Sequence, residues 1–235
     1  MQTKPILFSA PMIRALLASR KTQTRRLIKD RGVMPEFCGG RYDDRNDPSC
    51  WGWQDFDRGD WVTLDEFPHY RFVPYAVGDL LWVREAHYLT DDGESEYAVF
   101  AADQSDVDEH LADMQATMAS HPSIDWSKHL RLRPSIHMPR WASRLTLRVT
   151  DVRVQRLQEI SDRDALAEGV DCAVNPVAGQ DVCIDGEFWP GGPSRMFRSL
   201  WDSLNAARAP WADNPWVAAY TFEVHQRNVD QMETQ

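Results

Sequence analysis

Ala18-Ser19-Arg20-Lys21-Thr22-Gln23-Thr24-Arg25-Arg26 is the stretch on which the reading of this chain turns. Four cations stand close together in it, with two threonines between them. Just upstream, Met12, Ile13, Leu16 and Leu17 recur at the spacing of one helical face. Ser9 is placed to cap that helix, and Pro11 falls in its first turn, where a proline is tolerated. The helix is expected to end near Ser19. Downstream, Thr22, Thr24, Leu27 and Ile28 suggest a strand. On a strand, Thr22, Thr24 and Arg26 project to one face and Gln23 and Arg25 to the other, with Lys21 at the turn. Two readings of the segment follow. In one it is a solvated basic turn, because charge runs usually face water. In the other Lys21 is reactive: neighbouring cations disfavour its ammonium form, and a neutral lysine can act as base for a hydroxyl such as that of Thr24.

Residues 4 to 8 read as a short strand. Residues 31 to 76 are rich in Gly, Pro, Asp and aromatics and read as an inserted hairpin region around a Gly59-Asp60 turn, in which Trp51, Trp53 and Trp61 are suspected of stacking. A strand over 80 to 85 follows the Gly78-Asp79 turn, and another covers 97 to 101. Residues 103 to 128 read as an acidic helix with Leu111, Met114 and Met118 on its apolar face. Alternation from Arg144 to Leu157 predicts a long strand bent near Thr150-Asp151. Ser161 caps a helix running to Glu168, with Asp162 and Asp164 in its first turn and Gly169 at its end. Residues 170 to 192 read as a loop, 194 to 207 as a helix, and 216 to 224 as a closing strand.

Short, non-local strands with few helices predict an α+β fold: a small mixed β-barrel with helices packed outside it, rather than a doubly wound sheet. The expectation is a single domain over 1–235, with insertions at about 31–76 and 103–140 and a C-terminal helix and strand closing the barrel. No Gly-rich phosphate loop follows a strand, which argues against nucleoside-triphosphate and dinucleotide folds.

The 235 residues are long enough to bury a core, and 43% hydrophobic with 26% charged residues is an ordinary globular balance. No apolar run approaches a membrane span, and Met1 to Phe8 lacks a signal peptide's apolar region, so a cytoplasmic protein without a membrane partner is expected. Cys38, Cys50, Cys172 and Cys183 lack close zinc-knuckle spacing; they read first as free thiols, with a zinc site or a disulfide as alternatives. The histidines show no metal-like spacing, and neither a metal nor another cofactor is expected. The net charge of −10 does not suit a protein that wraps duplex nucleic acid. A nucleic-acid site here must be a local basic patch, and a pocket for one nucleoside fits at least as well.

The string Arg20-Lys21-Thr22-x-Thr24-x-Arg26, directly after a short amphipathic helix, resembles the signature of the ASCH domain family of PUA-like proteins. Gly78-Asp79-Leu-Leu-Trp-Val83 resembles that family's turn into a barrel strand. Arg144 to Val154 resembles its long central strand, Ile160 to Gly169 its following helix, and Trp216 to Val224 its last strand. The resemblance covers about half the chain, and the whole chain looks like longer proteins common in bacteriophages and prophages, in whose case the cytoplasm is the host cell's. It implies a PUA-like barrel and association with RNA. One small branch of the family hydrolyses acetylated cytidine with a lysine, a threonine and a glutamate, which fall on Lys21, Thr24 and Glu168. By that resemblance Thr24 attacks the amide carbonyl, Lys21 takes its proton, and Glu168 orients the lysine or passes the proton on; Arg26 or a backbone N–H stabilises the oxyanion. Another branch is associated with RNA cleavage. Ser19 stands where the small branch has glycine, which is a departure at the turn before Lys21.

Further candidates for gripping a substrate or nucleic acid are Arg20, Arg25, Arg84 and Glu85, with Glu85 either an alternative acid or half of a surface ion pair. Arg133, His137 and Arg140 interleave with Trp141, as residues that hold phosphate and stack a base do; equally, this is a loop packing Trp141 on the core. The expected partner is RNA or a modified nucleoside. The rival readings are a non-catalytic nucleic-acid-binding module, a ribonuclease, and a phage-encoded protein that binds a host factor. The oligomeric state is not legible.

Overall fold

The structure is a computed structural model and describes residues 2–28, 36–39, 48–55, 59–63, 73–91, 95–121, 129–170, 172–175, 180–183 and 192–232. Parts of the two expected insertions lie outside these residues. The described elements run β1 (Thr3–Leu7), α1 (Ala10–Leu17), β2 (Gln23–Leu27), β3 (Glu36–Phe37), β4 (Trp51–Gln54), β5 (Trp61–Thr63), β6 (Leu80–Arg84), β7 (His87–Asp91), β8 (Glu96–Phe100), α2 (Gln104–Ser120), β9 (Thr146–Arg156), α3 (Asp162–Ala167), β10 (Cys172–Asn175), β11 (Gln180–Cys183), α4 (Gly192–Asn205) and β12 (Trp216–His225). The fold is mixed α+β. Its main sheet has the order β1-β6-β9-β12-β2, with β3-β4-β5 as a three-stranded sheet and β7-β8 and β10-β11 as hairpins. Among the described residues no helix is long and apolar enough to cross a membrane.

Among the same residues the sheets do not close into a barrel, which corrects that part of the expectation: β1 and β2 are the ends of an open order. The chain entering β2 is engaged by a helix end, with Thr22 N–H donating to the carbonyl of Ala167 at 2.8 Å. At the other end β1 carries Pro5, which has no N–H to give to a further strand.

By its contacts the chain divides into two compact units, one formed by 1–19, 79–148 and 223–235, the other by 20–78 and 149–222. In the first, β1 runs parallel to β6, which pairs antiparallel with the start of β9. The Gly78-Asp79 turn has a clear cause. Gly78 adopts φ +87°, a conformation suited to glycine. Asp79 is buried and accepts from Gln2 N–H at 2.8 Å and Lys4 Nζ at 2.9 Å, which ties β1 to the head of β6. On α2 the buried residues are Val107, His110 and Met114, so the apolar face lies beside the one expected: Leu111 is half-buried and Met118 exposed.

In the second unit β2 pairs antiparallel with β12, placing Thr24 opposite Tyr220. Helices α3 and α4 pack together over a core of Leu157, Ile160, Ala165, Phe197, Trp201 and Val217. Phe197 and Trp201, one turn apart on α4, supply its bulk. Residues expected as loop include the hairpin β10-β11 in the register Cys172 to Cys183, a second correction. Its strands are short and lie between Gly/Pro punctuation, so no alternation signal stands out. Trp51 is buried edge-on against Trp216 at 4.9 Å, so it is core rather than a stacking platform, whereas Trp61 is exposed. Cys50 is a buried free thiol, and Cys38 is half-buried.

Candidate functional site

Helix α1 ends in a turn where Ser19 takes φ +55°, the left-handed region that glycine adopts without strain. The residue there is a serine, yet its backbone takes a conformation in which glycine is the usual occupant.

Lys21 follows, and it is not solvated. It is 0% exposed, which removes the reading of a basic turn facing water. A backbone bridge joins Lys21 to Glu168, and Phe222 N–H donates to Thr22 O at 2.9 Å. The segment is thereby held by the C-terminal turn of α3 and by β12. Helix α3 forms as its sequence directs: Ser161 Oγ accepts from Asp164 N–H at 3.1 Å, Asp162 and Asp164 occupy the first turn, and Gly169 ends the helix at φ +87°. Glu168 is the C-terminal cap. Its carbonyl would otherwise lack a helical partner; it accepts from Lys21 Nζ at 2.8 Å. The Glu168 carboxylate accepts from the same nitrogen at 2.9 Å through Oε2. A cation at a helix C-terminus is favoured by the helix dipole as well as by the carboxylate.

Glu168 also accepts from Arg25 Nη1 at 3.0 Å through Oε1. Arg25 is 5% exposed and Glu168 5%, so the carboxylate and both its cations are out of water. Arg25 Nη1 donates to Gln23 Oε1 at 2.7 Å, and Arg25 Nη2 lies 3.3 Å from Asp164 Oδ2. Gln23 Nε2 donates to Asp164 Oδ1 and to Thr221 Oγ1, each at 3.2 Å, and Arg153 Nη2 donates to Asp164 Oδ1 at 3.0 Å. Burial lowers the Lys21 ammonium below the ordinary lysine range; Glu168 pulls it back up, and Arg26 and Arg25 push it down again. The direction matches the reactive-lysine reading, but the chief cause is desolvation rather than the like charges invoked from sequence. Burial also works against the Asp164 carboxylate, yet Arg153 and then Arg25 and Gln23 hold it below the usual range.

Thr24 is 4% exposed on β2. Arg26 is half-buried; burial lowers its guanidinium, and Tyr75, Glu168 and Tyr220 oppose that shift. Tyr75 and Tyr220 meet edge-on at 5.1 Å, and burial raises both phenols above their ordinary value. Arg20 is exposed. Sequence reasoning missed Gln23, Arg153, Asp164, Tyr75 and Tyr220 as neighbours of this group. Of these, Asp164 and Gln23 left a signal: Asp164 stands four residues before Glu168, and so on the same side of the α3 turn, and Gln23 shares a strand face with Arg25.

The remaining candidates belong to the other unit. Glu85 is buried and held by Arg144 through both oxygens, at 2.9 and 3.0 Å, so it is no surface pair. Arg144 also donates to Asp103 and lies over the Phe100 ring at 4.0 Å. Burial raises the Glu85 carboxyl, and Arg144 opposes that rise. Arg84 donates to Ile136 O and lies over Trp82 at 5.2 Å. Arg133 bridges to His87 through the backbone, and Arg140 pairs with Asp230. His137 and Trp141 are exposed, and with Trp141 47% exposed the loop does not pack that ring into the core.

Comparison of the chain with protein-family models, with curated proteins and with solved structures returns no match.

Proposed function

We propose that this chain is an ASCH-type, PUA-like protein of the phage or prophage kind, acting in the cytoplasm on RNA or a modified nucleoside, and that it hydrolyses the amide of N-acylated cytidine. The observation that carries this reading is the buried contact between Lys21 Nζ and Glu168, residues 147 apart in sequence and 2.9 Å apart in space. Burial favours loss of the proton from a lysine withdrawn from water, and Glu168, held by Arg25 on its other oxygen, is placed to orient that lysine.

The reaction then runs in two halves. Thr24 Oγ1 attacks the acyl carbon while Lys21 Nζ, in its neutral form, takes the hydroxyl proton. Collapse of the tetrahedral intermediate breaks the C–N bond, and the lysine's proton goes to the leaving amine, with Glu168 orienting the lysine. Water next attacks the acyl-threonine, Lys21 again takes and returns the proton, and the carboxylic acid leaves. Arg26 is the side chain of this set assigned to the developing oxyanion.

The test is turnover by purified protein of a panel of acylated cytidines and short single-stranded RNAs. Cytidine release is expected in the wild type and lost in Lys21→Ala, Thr24→Ala and Lys21→Arg, since arginine stays protonated at neutral pH. Full activity in Lys21→Arg would sink the mechanism. RNA fragments that disappear in Lys21→Ala would make the protein a ribonuclease. No product from any substrate would leave a binding module or a host-factor ligand, which pull-downs from host cells then separate.

A further inference from the structure

Glu168 serves two cations with two different oxygens: Lys21 on Oε2 at 2.9 Å and Arg25 on Oε1 at 3.0 Å. The terminal torsion of a glutamate is broad and has no sharp preference of its own. Something must therefore fix the plane of this carboxylate if one oxygen is to stay with Lys21. Arg25 is built for that task. Its side chain is 0% exposed, it lies over the Phe197 ring at 5.7 Å, its Nη1 donates to Gln23 at 2.7 Å, and its Nη2 makes a 3.3 Å ion pair, not a hydrogen bond, with Asp164. Asp164 is fixed in turn by Arg153 at 3.0 Å and Gln23 at 3.2 Å. With its guanidinium buried against protein groups, Arg25 is poorly placed to grip a substrate.

We propose that Arg25 is a positioning residue for the Lys21–Glu168 pair, held by Asp164 and Gln23 and setting the rotation of the Glu168 carboxylate so that Oε2 is kept for Lys21. The inference rests on the reading of Lys21 as the base. It moves Arg25 from the substrate-gripping group, where sequence alone put it, to the support of the proton relay. The charged groups acting on Lys21 are Glu168 from α3 and Arg25 and Arg26 from β2; the carboxylate favours its proton and the two arginines oppose it. Removing Arg25 takes away one opposing charge and frees Glu168 to give both oxygens to Lys21. Both changes make the lysine hold its proton more tightly.

The chain contains four lysines, Lys4, Lys21, Lys29 and Lys128, so the side-chain NMR signal of Lys21 can be assigned in the full chain by its loss in Lys21→Met. In Arg25→Gln the midpoint of Lys21 titration is expected to rise by about one pH unit. In the turnover assay the acid limb of the kcat profile should rise with it, and kcat at neutral pH should fall about tenfold while KM stays within about twofold. Arg25→Lys keeps the charge but not the fork, so its Lys21 titration should return toward wild type while kcat stays low. Should Arg25→Gln not fold, Arg25→Lys and Asp164→Asn carry the test, the latter loosening Arg25 and lowering kcat with KM little changed. An unmoved Lys21 titration in folded Arg25→Gln, or a rise in KM alone, overturns the proposal. If the titration moves but the wild type turns over no acylated cytidine, the role of Arg25 stands and the amidohydrolase reading falls.

Discussion

Glu168 sits 5% exposed between two cations that are themselves out of water. Replacing such an ion pair by apolar groups is often nearly neutral, but removing one member strands the other's charge in a poor solvent. Glu168→Ala should therefore destabilise the fold by about 3–5 kcal/mol, because it abandons Lys21 and weakens the hold on Arg25 together. Lys21→Met should cost less, since Glu168 keeps Arg25. The double variant Lys21→Met/Glu168→Leu should cost less than the sum of its single changes by at least about 1 kcal/mol, read from urea unfolding. Additive costs would mean that the two side chains do not share one buried network. The identities of these residues were legible in the sequence, but their burial was not. Four cations among the seven residues from Arg20 to Arg26 look like a solvated surface unless one knows that a helix end and a carboxylate pair stand opposite, and those are separated from Lys21 by most of the chain.

At the scale of elements, the sequence pattern located α1, β2, β6, β9, α3, α4 and β12 to within a few residues, because each has caps or alternation of its own. The buried positions on β9 switch from Leu147 and Val149 to Val152 and Val154, a change of phase at Thr150-Asp151 where a bend was expected. The hairpin β7-β8 was only half legible, since β7 gave no strand signal. It carries His87, fully buried, with Nδ1 against Glu85 O at 3.1 Å and Nε2 without a hydrogen-bond partner among the described residues. Burial lowers His87 below its ordinary value; the Glu85 carbonyl opposes this, and Arg133, Arg84 and His137 add to it. A lowered folded value means that the unfolded chain takes up the proton first as pH falls through 6.5, so stability drops from there until the folded value is passed. Glu85, raised by burial, works in the opposite sense, and His225, also lowered, works in the same one. The decisive comparison is therefore between proteins. His87→Gln should lose less stability between pH 7.5 and 5.5 than the wild type does, by about 1 kcal/mol in urea unfolding. Equal losses would assign the acid sensitivity elsewhere.

For the molecule as a whole, charge decides what kind of nucleic-acid contact is available. The net charge is −10, and many described cations are already committed to carboxylates: Lys4 to Asp79, Lys21 and Arg25 to Glu168, Arg140 to Asp230, Arg144 to Glu85, and Arg153 to Asp164. A cation paired in this way must give up its partner before it can neutralise a phosphate. On single strands each neutralised phosphate contributes about 0.7 to the slope of log affinity against log salt. A site that takes one nucleoside with one or two flanking phosphates therefore gives a slope of about −1, whereas a track over six or more gives about −4 or steeper. Binding of a labelled short single-stranded RNA, followed by fluorescence anisotropy between about 50 and 200 mM salt, is expected to show the shallow slope. A steep slope would mean that the acidic body hides a continuous basic path, and the reading of a single-nucleoside site would give way to that of a strand-binding surface. A shallow slope together with loss of affinity in Arg26→Gln would place recognition beside Thr24, where the proposed chemistry needs it, because Arg26 stands two residues on from Thr24 along β2 and so on the same face of that strand.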